Sequence, residues 1–293
     1  MGDPYRQGDY PLARKSTNFV PLSDEDLEWV RGGMPPDTFL KWKQDYIRRI
    51  ANMTIKLFEV GGSIRDELMG IDNPPDRDFC AESPEGWDTL LAWCHENMKK
   101  VFLVTPEFLT VRGMMPNGQA IDVVMCRADG PSSDGRHPDH VVPGTLLDDL
   151  ARRDFTVNAM AREVDPKTLE PIGELIDPHE GLADLKIGVL CTVGRADDRF
   201  NEDGLRVLRA ARFMVTKSLE STVDIGACHF DLKWWEFIVD TVSTERIREE
   251  LTKMFRHDSR EAIRFFVNEC HPEALGLLME KSNIWLKPTM EKK

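Results

Sequence analysis

The chain has 293 residues, room for two domains or for one domain with a helical extension. Hydrophobic residues make up 41% and charged residues 30%, the balance of an ordinary soluble protein. Lys and Arg number 38 against 51 Asp and Glu, a formal charge of −13, which excludes a broadly basic nucleic-acid coat but leaves room for a local basic cleft. The six cysteines are scattered and form no C-x-x-C pair, so they read as reduced thiols of a cytoplasmic protein. The N-terminus has no apolar signal core, and no apolar run of about 18 residues occurs, so no membrane span or membrane partner is expected.

Residues 1–55 read as an N-terminal extension broken by prolines, with a short helix over 24–32 and a second over 37–52, where Phe39, Leu40, Trp42, Tyr46, Ile47 and Ile50 recur at helical spacing. Lys56–Val60 then reads as a short buried strand, Gly61–Gly62–Ser63 as a turn and Ile64–Met69 as a helix. Strands are expected at 77–81, 101–104, 108–114 and 120–126, with a helix at 85–98. Residues 129–144, rich in Gly, Pro, Ser, Asp and His, read as loop. Alternating helices and strands make residues 56–192 an α/β or α+β head. Residues 193–293 read as helical, with helices over 201–216, 229–241, 244–256, 258–268 and 272–281.

Four groups of residues carry possible chemistry. A Gly61–Gly62–Ser63 turn between strand and helix leaves backbone N–H groups outward with no Cβ in the way, a phosphate-binding geometry, although such turns are also simple connections. Asp76 and Asp78 enter a strand two residues apart, so period-2 geometry puts both carboxylates on one face. Carboxylates this close repel unless a divalent cation lies between them, and oxygen ligands suit Mg²⁺. Asp122 is a third acid on a strand that could be adjacent. Arg152–Arg153–Asp154 opens an apolar run through Asn158 and is either a charged helix start or a phosphate and sugar contact. Asp203, Arg206, Arg209 and Arg212 fall at steps of three, either as a salt-bridged solvated face or as donors and acceptors that read a base edge.

In this order the motifs VGGSIRDELMG, DRDF, SDGRHP, RRDFTVNAMA, IDPHEGLADL, RFNEDGLRVLRAARF and STERIREEL resemble the bacterial-type class II tRNA nucleotidyltransferases (CCA-adding enzymes) and their poly(A) polymerase relatives. The likeness runs from about 56 to 256. It implies an α+β fold: a polymerase β-like nucleotidyltransferase head with a mixed β-sheet and flanking helices, followed by an all-helical neck and body. It also implies roles. Gly61, Gly62, Ser63 and Arg65 would hold the triphosphate. Asp76 and Asp78 would bind the catalytic metals, with Asp122 as third acid and Mg²⁺ as cofactor. Arg152, Arg153 and Asp154, with Asn158 beside them, would recognise the ribose. Asp203 and Arg206 would read the base of CTP or ATP, supported by Arg209 and Arg212. Residues 133–138 would be the loop that reorients the site between C and A addition, and Arg246 and Arg248 would lie on the neck helix. The implied reaction adds C and A to an RNA 3′ end, with a tRNA as acceptor, by two-metal phosphoryl transfer. Partial CC or A addition, poly(A) synthesis and a non-catalytic RNA-binding relative are the alternatives. Family members continue past the neck into a body and tail, so a shortened C-terminal region is expected here.

Overall fold

The computed structural model describes residues 32–33, 35, 37–40, 55–71, 77–83, 86–129 and 141–283. Residues 37–40 are helical; the rest of the helix expected over 37–52, nearly all of that over 24–32, Asp76 and the loop at 133–138 lie outside the described residues.

The head is organised around Lys56–Val60 (β1), whose last four residues are all buried. A strand buried on both faces sits inside a sheet, and β1 has a neighbour on each side. After it come Gly62–Leu68 (α1), Asp78–Glu82 (β2), Trp87–Asn97 (α2), Lys100–Thr105 (β3), Thr110–Met114 (β4) and Ala120–Met125 (β5). Arg127–Asp129 (β6) and Val141–Pro143 (β7) form an antiparallel pair, so the segment expected to be loop over 129–144 is closed at its ends by a short ladder. Leu146–Ala151 (α3), Ala161–Val164 (β8), Pro171–Ile176 (β9), Gly181–Ile187 (α4) and Val189–Leu190 (β10) complete the head. The seven-stranded sheet has the order β3-β4-β5-β2-β1-β8-β9. Only β2 and β5 run parallel; every other neighbour pair is antiparallel, as expected for a mixed sheet. A parallel pair needs a crossover, and α2 with the β3–β4 hairpin supplies it.

Alternation along the strands gives the sheet two apolar faces. Leu57, Phe79, Val111 and Val123 pack with Leu90 and Cys94 of α2. Phe58, Val60, Cys80 and Ala161 pack with Leu146 and Leu150 of α3 on the other side.

The helical part contains Ala196–Glu202 (α5), Leu205–Lys217 (α6), the short strand Glu220–Ser221 (β11), Val223–Phe230 (α7), Leu232–Thr241 (α8), Thr244–His257 (α9), Ser259–Asn268 (α10) and Ala274–Ser282 (α11). The single helix expected over 201–216 is in fact two, broken at an extended Asp203. Gly204 allows the close approach at the break, since a Cβ there would lie 3.0 Å from a Phe237 ring carbon. The helix expected from 229 starts at Leu232, where the Asp231 carboxylate accepts from the Lys233 N–H as an N-cap. One core joins Phe200, Leu208, Phe213, Trp235, Ile247 and Met254 to Phe155, Val157 and Leu190 of the head. All six cysteines are free thiols. Among the described residues no helix is long and apolar enough to cross a membrane.

Candidate functional site

Strand β1 ends at Val60 and the chain reverses at Gly61, whose φ of 81° suits glycine alone. A Cβ at Gly61 would also stand 2.9 Å from Nη1 of Arg153, and one at Gly62 would stand 3.3 Å from Nη2 of Arg65. Two guanidiniums therefore flank the turn closely enough that a side chain at either glycine would press against one of them. Ser63 is buried one residue on.

A row of charged residues crosses the sheet at the same end. In register, Asp78 of β2 lies opposite Val60 of β1 on one side and opposite Asp122 of β5 on the other. Asp122 in turn lies opposite Arg112 of β4. Residues directly opposite share a face, so Asp78, Asp122 and Arg112 stand abreast beside the Gly61 turn. The adjacency expected of Asp122 is thus that of paired strands. Arg112 donates from Nε and Nη2 to the two oxygens of Asp122, each at 2.5 Å. Arg77 turns to the other face, where its guanidinium donates to both oxygens of Glu59 at 2.8 Å. Burial pushes the Glu59 carboxyl up, but Arg77 outweighs it and the carboxyl stays below its ordinary range. Among the described residues no three His, Cys, Asp or Glu side chains converge as a metal site.

The Arg152–Asn158 segment is not a helix start. It follows α3 and enters a short 3₁₀ turn at Thr156–Asn158, with Asp154, Phe155, Thr156, Val157 and Asn158 all buried. Buried Asp149, one turn earlier, accepts from Arg152 Nε at 3.1 Å and from Arg153 Nη2 at 3.0 Å. Burial raises its pKa, but Arg153 and then Arg152 more than offset this and hold it ionised. One oxygen of Asp154 accepts from Asn158 Nδ2 at 3.0 Å and from the Phe155 N–H at 2.9 Å. The other accepts from Arg209 Nη2 at 2.6 Å and Nε at 2.9 Å. Burial alone would raise the Asp154 carboxyl; Arg209, Asn158 and the Phe155 N–H pull it down to about 2.

These bonds link the turn to the helical part. Arg65 Nη1 donates to Asn158 Oδ1 at 2.5 Å, and Asn158 leads through Asp154 to Arg209. Buried Glu250 of α9 accepts from Arg212 and lies 3.8 Å from Arg209 Nη1. The guanidinium carbons of Arg212, Arg65 and Arg209 lie 4.1, 4.9 and 5.6 Å from the centre of the Phe213 ring, in cation–π range. Lys217 closes the joint with a 2.8 Å ion pair to Asp66 of α1.

Of the four residues expected on one helical face, Arg206, Arg209 and Arg212 lie on α6, while Asp203 occupies the break before it. No Asp203–Arg206 ion pair forms. Asp203 accepts from Arg246 Nη2 at 2.7 Å. Arg206 Nη1 donates to Glu202 at 2.6 Å, and its Nη2 donates to the Arg152 carbonyl at 2.8 Å. Asp149, Glu250 and Arg112 are additions that the sequence reading missed. Asp149 was readable in principle, three and four residues before its two arginines. The partners of Glu250 and Arg112 are set by packing and strand register and leave no such mark.

Residues 57–191 match the family described as the poly(A) polymerase head domain. The chain is 31% identical, over 254 residues, to the CCA-adding enzyme of Lactobacillus johnsonii, a match that covers 83% of this chain and 58% of that protein. In fold it is similar to the Bacillus stearothermophilus CCA-adding enzyme in complex with CTP, with a TM-score of 0.57 and 27% identity over 88% of this chain and 55% of that one. It is also similar to a tRNA nucleotidyltransferase complexed with a primer tRNA and an incoming ATP analog, with a TM-score of 0.56 and 26% identity over 78% and 59% of the two chains. The chain therefore spans little more than half the length of these relatives.

Proposed function

We propose, from the match of residues 57–191 to the poly(A) polymerase head domain and the 31% identity to a CCA-adding enzyme, that this chain is a template-independent RNA nucleotidyltransferase that adds C and A to tRNA 3′ ends from CTP and ATP. The observation that carries this reading is the meeting of the Gly61 turn with the Asp78–Asp122 row at one end of the sheet. It sets donors for a triphosphate beside carboxylates abreast of each other, the two halves of a phosphoryl-transfer site.

In this reading the Gly61 turn, whose own N–H is taken by the Met160 carbonyl, presents the Gly62 and Ser63 backbone N–H groups to the triphosphate, and Arg65 and Arg153 supply the flanking positive charge. Asp76, Asp78 and Asp122 hold divalent cations. Oxygen-only carboxylate donors side by side on one face suit a hard ion, and we assign Mg²⁺. Divalent ions held by these carboxylates would supply Lewis acidity toward the attacking RNA 3′-hydroxyl and charge neutralisation for the departing pyrophosphate. Arg152, Arg153, Asp154 and Asn158 form the ribose side, with Asp149 fixing both arginines. Asp203 and Arg206 read the base, exchanging Arg246 and Glu202 for its edge, while Arg209 and Arg212 hold the wall behind them. The protein acts in the cytoplasm.

The test is incubation with tRNAs ending before CCA, after C and after CC, with each labelled nucleotide and Mg²⁺. Stepwise C, C, A addition is expected. A run of A residues would make the chain a poly(A) polymerase, and no extension by folded protein would make it a binding relative. Asp78→Ala should abolish incorporation with an unchanged melting temperature; incorporation at the wild-type rate would overturn the carboxylate assignment.

A further inference from the structure

The Asp78–Asp122 row does not end in carboxylates. Its next member is Arg112, directly opposite Asp122 across the β4–β5 ladder. The guanidinium binds side-on, with Nε on one oxygen and Nη2 on the other, so both oxygens of Asp122 are engaged by one cation. The Arg112 side chain is 59% exposed and that of Asp122 29%, so water can reach the pair and it can open without disturbing the core. Asp78 lies on the opposite flank of Asp122, one strand further into the sheet. A divalent ion bridging Asp78 and Asp122 must therefore share an oxygen with Arg112 or displace it.

Resting on the metal-site reading above, we infer that Arg112 is a built-in competitor for the catalytic cation, a residue that sets how tightly the carboxylate row holds a divalent ion by occupying Asp122. Three features of the pair support this. Its geometry is specific: a lysine could not engage both oxygens in the same plane. Its position is fixed by strand register, not by a flexible loop. Its strength is modest, because exposed ion pairs are weak and screened by salt, so a doubly charged ion can exchange with it.

Mn²⁺ serves as the probe, with binding to the full chain followed by electron paramagnetic resonance of the free ion, without nucleotide, in wild type, Arg112→Gln, Arg112→Lys, Asp122→Asn, Asp78→Asn and the Arg112→Gln/Asp122→Asn double variant. Arg112→Gln should bind Mn²⁺ about fivefold more tightly, the upper end of what an exposed two-point pair withholds. Arg112→Lys should fall between the two. In the Asp122→Asn background the Arg112→Gln gain should vanish, since the contested ligand is gone. Unchanged or weaker Mn²⁺ binding by Arg112→Gln, with Asp78→Asn still abolishing it, overturns the inference and leaves the metal site standing. Mn²⁺ binding by Asp78→Asn at wild-type affinity overturns the metal-site reading itself and the inference with it. A merely structural Arg112 would weaken binding on removal, the opposite sign.

Discussion

Replacing Asp154 by Asn isolates the charge that joins the head to α6. The carboxylate is buried and ionises at about 2 in the folded protein against an ordinary 3.8, chiefly because Arg209 and Asn158 outweigh its desolvation. At about 1.4 kcal/mol per pH unit, that difference makes the charge worth about 2 kcal/mol of stability. Asn also turns an N–H₂ or a weaker acceptor toward Arg209, and removing one partner of a buried pair costs about 3–5 kcal/mol. The Arg209 side chain keeps 30% of its exposure, so water repays part of that loss. A cost of about 3 kcal/mol at pH 7 follows, readable by urea unfolding of wild type and variant. The pH dependence is the sharper part. A depressed carboxyl stabilises above its unfolded pKa and loses that stabilisation as pH falls through its folded one. The gap between the two proteins should hold from pH 8 to 5, shrink below 4, and stand about 1 kcal/mol smaller by pH 3. A gap that keeps its pH 7 size at pH 3, or one below about 1 kcal/mol at neutral pH, would refute the account.

Burial lowers the pKa of His229 to about 4, partly offset by its bond to the Val207 carbonyl. Its neutral form then stabilises the fold above about pH 6.5, and this is lost as pH falls from 6.5 to 4; His229→Phe should flatten that decline by about 1.4 kcal/mol per pH unit in the same unfolding assay. Arg206→Ala should erase the preference for CTP and ATP over GTP and UTP in single-nucleotide incorporation, and retained selectivity would assign the side chain to its Glu202 and Arg152 bonds alone.

The parts of the fold that were legible in the sequence are those whose burial is local. KLFEV, DFCAE and AIDVVM alternate or run apolar because both sheet faces are covered, and each is a strand within a residue or two of its expected bounds. Strands β8 and β9 escaped notice because PIGELI has no buried residue and AREV only its two ends, so neither carries a period-2 pattern. The break at Asp203 was hidden for a different reason. Apolar residues keep helical spacing on both sides, and the close approach of Phe237, thirty-odd residues later, to Gly204 at the break leaves no mark in the local pattern. The same distance effect governs the site. The Gly61 turn and the Asp residues announce themselves by type and spacing, whereas Asp203 finds Arg246 and Arg212 finds Glu250 through the packing of α6 on α9.

Phe213 has a consequence for how this protein can be cut and recombined. Its ring takes guanidiniums from both sides of the joint, Arg65 from the head and Arg209 and Arg212 from α6, and meets Phe155 edge-on at 5.5 Å. The segment that matches the family ends at 191, but the face that Phe155 must cover and the charge that Asp154 must meet are supplied by residues 209–217. A head grafted onto a foreign helical body at 191 would carry an uncompensated buried carboxylate and a bare aromatic ring. The portable unit in this chain therefore runs through Lys217, and a chimera that exchanges the head should keep its fold only when α6 travels with it.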